Sequence, residues 1–266
     1  VSGDTVSLGT GADISAVNGA GAGAGSALAA DKLTLVSGAS VTMTAAQNNS
    51  FDSTVTAAGT ETITLSDASS ASGIAEVERY VLAAGAQPFT LGASGQNVTL
   101  DSTGSSGSVA ISTGTLTSVT GTLDDGTGND TIALTLATTG VDISSANTTD
   151  VDSIALASGV SATMTTAQNA LITSAAGTNT VTLSNAGTVS GNAVVEGYVL
   201  AAAGNSAFTL GAAGKNITTG SAGTDTIVVG TLTATGTFTT VSGDTVSLDT
   251  GADISAVNGA GAGAGS

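Results

Sequence analysis

Polar and apolar residues alternate along this chain in short bursts, each a polar residue, then Thr, a β-branched residue, a variable residue and usually Leu. The cassette reads DTVSL at Asp4 to Leu8, ETITL at Glu61 to Leu65, DTIAL at Asp130 to Leu134 and NTVTL at Asn179 to Leu183. It returns as DTIVV at Asp225 to Val229 and DTVSL at Asp244 to Leu248. A period of two over five residues predicts a strand with one buried face. Related runs start at Asp31 (DKLTLVSG), Arg79 (RYVLAAG), Pro88 (PFTLGASG), Gln96 (QNVTL), Asp152 (DSIALASG), Gly197 (GYVLAAAG), Ala207 (AFTLGAAG) and Lys215 (KNITT). Nearly all run into Gly, Ser or Ala. Strand then corner, at a spacing of about ten residues, predicts an all-β sandwich, barrel or solenoid. Helix competes only at Ile74 to Gly85 and Ala193 to Gly204, where Glu and Ala favour it. Gly197 and the YVL triplets favour a strand there, with or without a short turn.

Repetition selects the solenoid. Val1 to Ser26 recurs at Val241 to Ser266 with one difference, Gly9 against Asp249, at an offset of 240 residues (241 minus 1). Fixed-period self-similarity marks arrays in which each unit packs on its neighbours. The chain therefore reads as slightly more than one period of a longer repeating protein. The period itself has two parts. Met43 matches Met164 at an offset of 121, Tyr80 matches Tyr198 at 118, Phe89 matches Phe208 at 119, and GTLT at Gly114 matches GTLT at Gly230 at 116. Drifting offsets in kept order are what small corner insertions produce. One insertion is NGAGAGAGS in the first half, where the second has only NTTD. The resulting division is 1–10 as the end of a preceding repeat, half-repeats at 11–139 and 140–250, and 251–266 as the start of the next.

The expected fold is an all-β solenoid, a right-handed parallel β-helix running as one continuous rod. At about 20 to 25 residues per coil and about 4.8 Å of rise, one period makes roughly 10 to 12 coils. Thr, Val, Ile and Leu are expected to stack inside and the acids to line the outside.

Composition sharpens this picture. Only four Phe and two Tyr are present, with no Trp, so a thick globular core is not expected. Three cations, Lys32, Arg79 and Lys215, face twenty acids, for a net charge of -17. This excludes nucleic acid and anionic membrane surfaces, which need clustered Lys and Arg. It suits a solvated extracellular surface or one that gathers cations. There is no Cys, so disulfides and thiolate metal sites are impossible, and no apolar run reaches the length of a membrane helix.

The nearest chemical motif is DDGTGNDTIAL at Asp124 to Leu134, with Gly126, Gly128, Asp130 and Ile132 at the spacing G-x-G-x-D-x-U of the calcium-binding β-roll nonapeptide. Carboxylates and corner carbonyls there supply hard oxygen ligands, making Asp124, Asp125 and Asp130 the candidate Ca²⁺ ligands. The alternative is an acidic corner without an ion, since the nonapeptide occurs once and GSAGTDTIV at Gly220 keeps Asp225 but not the second Gly. GAGAGAGS at Gly19 to Ser26 has the silk alternation, read either as a corner insertion or as a filament-packing element. Outward Thr pairs, Thr62 with Thr64 and Thr180 with Thr182, raise ice binding. The variable partner in other cassettes (Ser7, Ala133, Val228) breaks a flat array. Catalysis lacks equipment: His and Cys are absent. The close acid pairs, Asp124 with Asp125 and Asp150 with Asp152, lie in corners without aromatic platforms.

VDISSANTTDVDSIALASGVSATMTTAQ at Val141 to Gln168, with the GTGNDTIAL and GTDTIVVG runs, resembles the repeat regions of large secreted bacterial surface proteins, the group that includes calcium-dependent S-layer proteins and giant RTX-type adhesins. The resemblance implies type I secretion, calcium and a structural or adhesive role on the cell exterior. Taken together, the expected function is a non-catalytic repeat of an extracellular filament, S-layer or matrix fibre, with copies of itself as partners. The alternatives are a calcium-dependent adhesin stalk and an ice-binding solenoid.

Overall fold

The structure, a computed structural model, describes residues 5–16, 32–51, 59–83, 85, 87–101, 107–127 and 130–260. The GAGAGAGS run and Gly128 lie outside the described residues. The chain is all-β, its parallel sheets stacked as a β-solenoid of about 11 turns, within the range expected from the period. It divides into two compact units, Val1–Thr135 with Ala146–Asp152, and Leu136–Ser145 with Ser153–Ser266. Paired strands of successive coils are offset by 17 residues (Thr62 to Arg79) to 27 residues (Thr5 to Lys32), so one coil takes about twenty residues.

In the first unit, strands Ser40–Met43, Thr62–Leu65, Arg79–Ala83, Asn97–Asp101 and Leu123–Asp124 form one parallel sheet. Its register aligns Val41, Ile63, Tyr80, Val98 and Leu123 in one inward row, and Met43, Leu65, Leu82 and Leu100 in another. A second face carries Ala71, Phe89, Ile111 and Leu134 in line. All of these side chains are buried. Like-on-like stacking lets β-branched and aliphatic residues bury their surface against the same position one coil away.

The second unit repeats the scheme. Val141, Ala162, Val181, Tyr198, Ile217 and Phe238 stack on one face. On the other, Val189, Phe208, Ile227 and Val246 stack. A short strand lies in each region where helix competed, Arg79–Ala83 and Gly197–Val199, each preceded by a turn. Outward rows are mixed: Thr42, Thr64, Val81 and Thr99 in one, Ser40, Thr62, Arg79 and Asn97 in the next.

Two short helices were not anticipated: α1 (Ala45–Ser50) and α2 (Thr166–Asn169). Each is opened by a reciprocal cap, Thr44 with Gln47 and Thr165 with Gln168. The Gln side chains then reach sideways into the stack: Gln47 Nε2 donates to the Ile14 carbonyl at 2.7 Å and Gln168 Nε2 to the Ile143 carbonyl at 2.8 Å.

The expectation that acids line the outside needs correcting at Glu61, Asp130 and Asp225, the buried acids among the described residues. The leading residue of the cassette is buried at Glu61, Asp130, Asn179 and Asp225. Each accepts a backbone N–H from the preceding corner: Gly38 to Glu61 Oε1 at 3.0 Å, Gly107 to Asp130 Oδ1, Val160 to Asn179 Oδ1 at 2.8 Å, and Ser206 to Asp225 Oδ1 at 2.7 Å. At a corner the ladder is interrupted, and an amide there must find another acceptor. A short acid or amide at the start of the next strand supplies it.

Glycine at certain corners is required by close backbone approach. A Cβ on Gly92 would lie 1.9 Å from the Gly73 oxygen, and one on Gly211 would lie 1.8 Å from the Gly191 oxygen.

Candidate functional site

The acidic corner is built from two coils. Asp124 ends the strand Leu123–Asp124, which pairs with Val98 and Thr99, and its Oδ1 accepts the Gly126 N–H at 2.8 Å, closing a tight turn. Thr122 forms a parallel bridge with Asn147, and the same coil step brings Asp125 level with Asp150. One carboxylate oxygen each from Asp124, Asp125 and Asp150 lies within 4.8 Å of the other two, and all three residues are half-buried. Burial, then the charges of Asp150, Asp152, Asp124 and Asp130, hold the Asp125 carboxyl above its usual range.

Of the three candidate ligands, the structure brings Asp124 and Asp125 together with Asp150. Asp130 is instead buried, with Oδ1 on the Gly107 N–H, and is not among the three carboxylates that converge. Its Oδ2 has no hydrogen-bond partner. The sequence paired Asp150 with Asp152, but Asp152 points elsewhere: its Oδ2 accepts the Ile132 N–H at 2.8 Å. Chemically the corner offers three hard oxygen donors, the type that takes Ca²⁺ when backbone oxygens or water complete the shell.

Two open concavities sit at equivalent places in the half-repeats, each beside a short helix. The first, about 410 Å³, is lined by Asn48, Asn49, Phe51 and Ser72 to Glu76. The second, about 550 Å³, is lined by Thr166, Asn169, Ala170 and Thr188 to Asn192 among others. Their Asn side chains are engaged in the fold: Asn48 Nδ2 donates to the Ser72 carbonyl at 2.8 Å and Asn169 Nδ2 to the Ser190 carbonyl at 3.1 Å.

Sequence reasoning also missed the role of Lys215. It is buried, and its Nζ donates to the Ala193 carbonyl at 2.7 Å, where Gln96 in the first half donates to the Ile74 and Val77 carbonyls. Burial lowers its pKa, against the raising influence of Glu196. The match of Gln96 to Lys215 at the same offset of 119 as Phe89 to Phe208 was the available signal.

The chain matches no family model, no curated protein and no solved structure.

Proposed function

We propose that this chain is a non-catalytic structural repeat of an extracellular filament, S-layer or matrix fibre. The observation that carries the reading is a β-solenoid of parallel coils, about 11 turns, whose sequence at Val1 to Ser26 returns at Val241 to Ser266 with one difference. Stacked coils with a periodic sequence extend without a preferred stopping point, which suits a mechanical element. The half-repeat recurrence of the core fixings adds support: Tyr80 with Asn48 and Tyr198 with Asn169 hold equivalent coils in the same way. A strongly acidic composition and the resemblance to secreted bacterial surface repeats favour the cell exterior. No helix among the described residues is long and apolar enough to cross a membrane. Negative-stain microscopy of the purified chain tests the reading. Uniform fibres that persist in chelator are expected, and dispersed particles at every concentration would overturn it.

A second reading, a calcium-dependent adhesin stalk, is favoured by the convergence of Asp124, Asp125 and Asp150. It requires that chelation lower the melting temperature and that calcium restore it.

A further inference from the structure

The two half-repeats differ at one strand edge. In the first, strand Ala71–Ser72 pairs with Phe89 and Thr90 on one side, and the Gly73 N–H donates to the Thr90 carbonyl at 2.8 Å. The alternate backbone groups, at Ser70 and Ser72, therefore turn to the other side. Asn49, in the last turn of α1, fills that side with a single amide. Its Nδ2 donates to the Ser70 carbonyl at 2.9 Å and its Oδ1 accepts the Ser72 N–H at 3.1 Å. These are the two bonds that one residue of a neighbouring parallel strand makes. The side chain stands in for a strand and closes the edge.

The second half-repeat keeps the edge and lacks the stand-in. Strand Thr188–Ser190 pairs with Ala207–Thr209, the Ala207 N–H donating to the Gly187 carbonyl at 3.0 Å and the Gly191 N–H to the Thr209 carbonyl at 2.8 Å. Thr188 and Ser190 thus turn their backbone groups away from that partner, and both residues are exposed. Asn169 still holds the Ser190 carbonyl, as Asn48 holds that of Ser72. The counterpart of Asn49, however, is Ala170, at the same offset of 121 as Met43 to Met164. The Ser190 N–H and the Thr188 carbonyl are left without a partner among the described residues. The concavity beside α2 opens onto them: Ala170, Thr188, Val189 and Ser190 line it, and it is larger than its counterpart, about 550 against about 410 Å³. Charge is lost there as well. Asp67, which accepts the Ala45 N–H at the start of α1, gives way to Asn185 at the start of α2. Glu76, on the wall of the first concavity, gives way to Val194.

Resting on the filament reading, we propose that this open edge is a docking seat for the Gly-Ala run Gly19–Ser26 of a second copy, which adds to Thr188–Ser190 as a parallel strand. Asn49 shows the chemistry that the seat takes, an amide that donates to one carbonyl and accepts one N–H. A peptide backbone offers that amide at every residue, which is the basis of strand addition to an exposed edge. No side chain from Gly19 to Gly25 is larger than a methyl group, so this backbone fits closely against a wall that includes Ala170 and Gly191. The run is also uncharged. In a chain of net charge -17, an uncharged run meeting an uncharged wall escapes the repulsion that opposes contact between copies elsewhere.

The probe is the end-capped peptide GAGAGAGS carrying a fluorophore, added to the full chain and to two full-length variants. Ala170→Asn supplies the missing amide, and Asn49→Ala opens the first edge. Expected is saturable binding to the wild type, weaker by about tenfold or more on Ala170→Asn, with an additional site on Asn49→Ala. Exchange of the Ser190 amide hydrogen should slow when the peptide is added, and should slow in Ala170→Asn without it. No binding to the wild type, or equal binding to the wild type and a folded Ala170→Asn, would overturn the seat. Equal affinity for the bulkier peptide GLGLGLGS would overturn the assignment to the Gly-Ala run. Fibres in the microscope without peptide binding would overturn the docking and leave the filament reading standing. Dispersed particles that bind the peptide, less so with Ala170→Asn, would uphold the seat and overturn the filament reading.

Discussion

Tyr80 donates its hydroxyl hydrogen to Asn48 Oδ1 at 3.0 Å, and the Tyr80 hydroxyl oxygen accepts the Ile74 N–H at 2.8 Å. Tyr198 repeats both bonds, to Asn169 Oδ1 at 3.0 Å and from the Asn192 N–H at 2.7 Å. Each ring packs on a Phe from the facing strand, Phe89 at 4.9 Å and Phe208 at 4.7 Å between centroids. A short helix, a strand and a corner amide are thus tied at one buried oxygen in each half-repeat.

Replacing Tyr80 or Tyr198 by Phe keeps the ring and deletes that oxygen. Each change strands an amide and an Asn carbonyl, so a loss of about 2 kcal/mol is expected for each. The two sites share no hydrogen-bond partner in the structure, and the double variant should lose the sum. Urea unfolding measures the totals. Hydrogen exchange at Ile74 and Asn192 should accelerate only in the matching variant.

Much of this architecture was legible because its period is local. Alternation in ETITL and NTVTL reports an inward Ile63 and Val181, and the matched spacing of Tyr80 and Tyr198 reports two equivalent coils. The helices were hidden because MTAAQ and MTTAQ continue directly from strands, although Thr-x-x-Gln is itself a cap signal. The burial of Glu61, Asp130 and Asp225 was hidden for a different reason. Each has an amide partner one coil earlier, at Gly38, Gly107 and Ser206, and a polar residue before a strand looks the same in sequence whether it faces water or a backbone N–H. Stacking also decided the acidic corner, giving Asp125 a neighbour in Asp150 and turning Asp130 inward.

Alkaline titration should separate the tyrosines from exposed ones. Burial, opposed by the Asn192 N–H and assisted by the charge of Glu196, pushes the Tyr198 pKa up to about 12 from 10.0. Tyr80 is raised by burial in the same way. A raised folded pKa means that the stabilising contribution is complete below pH 10 and is lost as pH rises through the folded value. The tyrosinate absorbance of the folded chain should therefore be delayed beyond pH 10 and appear together with unfolding. In denaturant both rings should titrate near their ordinary value.

Asp225 accepts two buried amides, Ser206 N–H on Oδ1 at 2.7 Å and Gly220 N–H on Oδ2 at 2.8 Å. Asp225→Ala leaves both without a partner at a cost of about 1–3 kcal/mol each. Asp225→Asn retains one acceptor and should lie between the two. Thermal melts of the three chains should rank wild type, Asn, Ala, and an Ala variant as stable as the Asn variant would contradict the clamp.

Gly211 tests the corner approach. The Gly191 oxygen that an added Cβ would strike belongs to the backbone, so no side-chain movement relieves it. Gly211→Ala should destabilise by on the order of 3 kcal/mol. Gly140 is a useful contrast: space around it is open but its φ is 80°. Gly140→Ala therefore pays only local backbone strain, about 1 kcal/mol. Melting temperatures of the two variants should differ in that order.

Acid dependence should appear at Asp244. Burial alone would raise its carboxyl, but the Thr219 hydroxyl and the N–H groups of Asp225 and Val241 outweigh it and hold the pKa below 3.8. A lowered folded pKa contributes stability above the unfolded value, lost as pH falls through the folded one. Asp244→Asn should therefore be less stable than wild type at neutral pH, with the difference shrinking below pH 3.8. A pH-independent difference would assign the effect to packing instead of charge.

At Asp125 the sign reverses, which separates a bare acidic corner from a calcium site. Its raised carboxyl pKa means that the ionised form is disfavoured in the folded chain by burial and by Asp150, Asp152, Asp124 and Asp130. That contribution is most favourable below the ordinary carboxylate range and is lost as pH rises through the folded value. Without divalent cation, Asp125→Asn should be slightly more stable than wild type at neutral pH, by less than about 0.5 kcal/mol at this half-buried position. Calcium at a hundred times its dissociation constant stabilises a binding chain by about 2.7 kcal/mol. Under the calcium reading the order must then invert, wild type melting above Asp125→Asn in calcium and below it in chelator. If the variant stays above wild type in both, the three carboxylates form a repulsive corner and the adhesin-stalk reading loses its support.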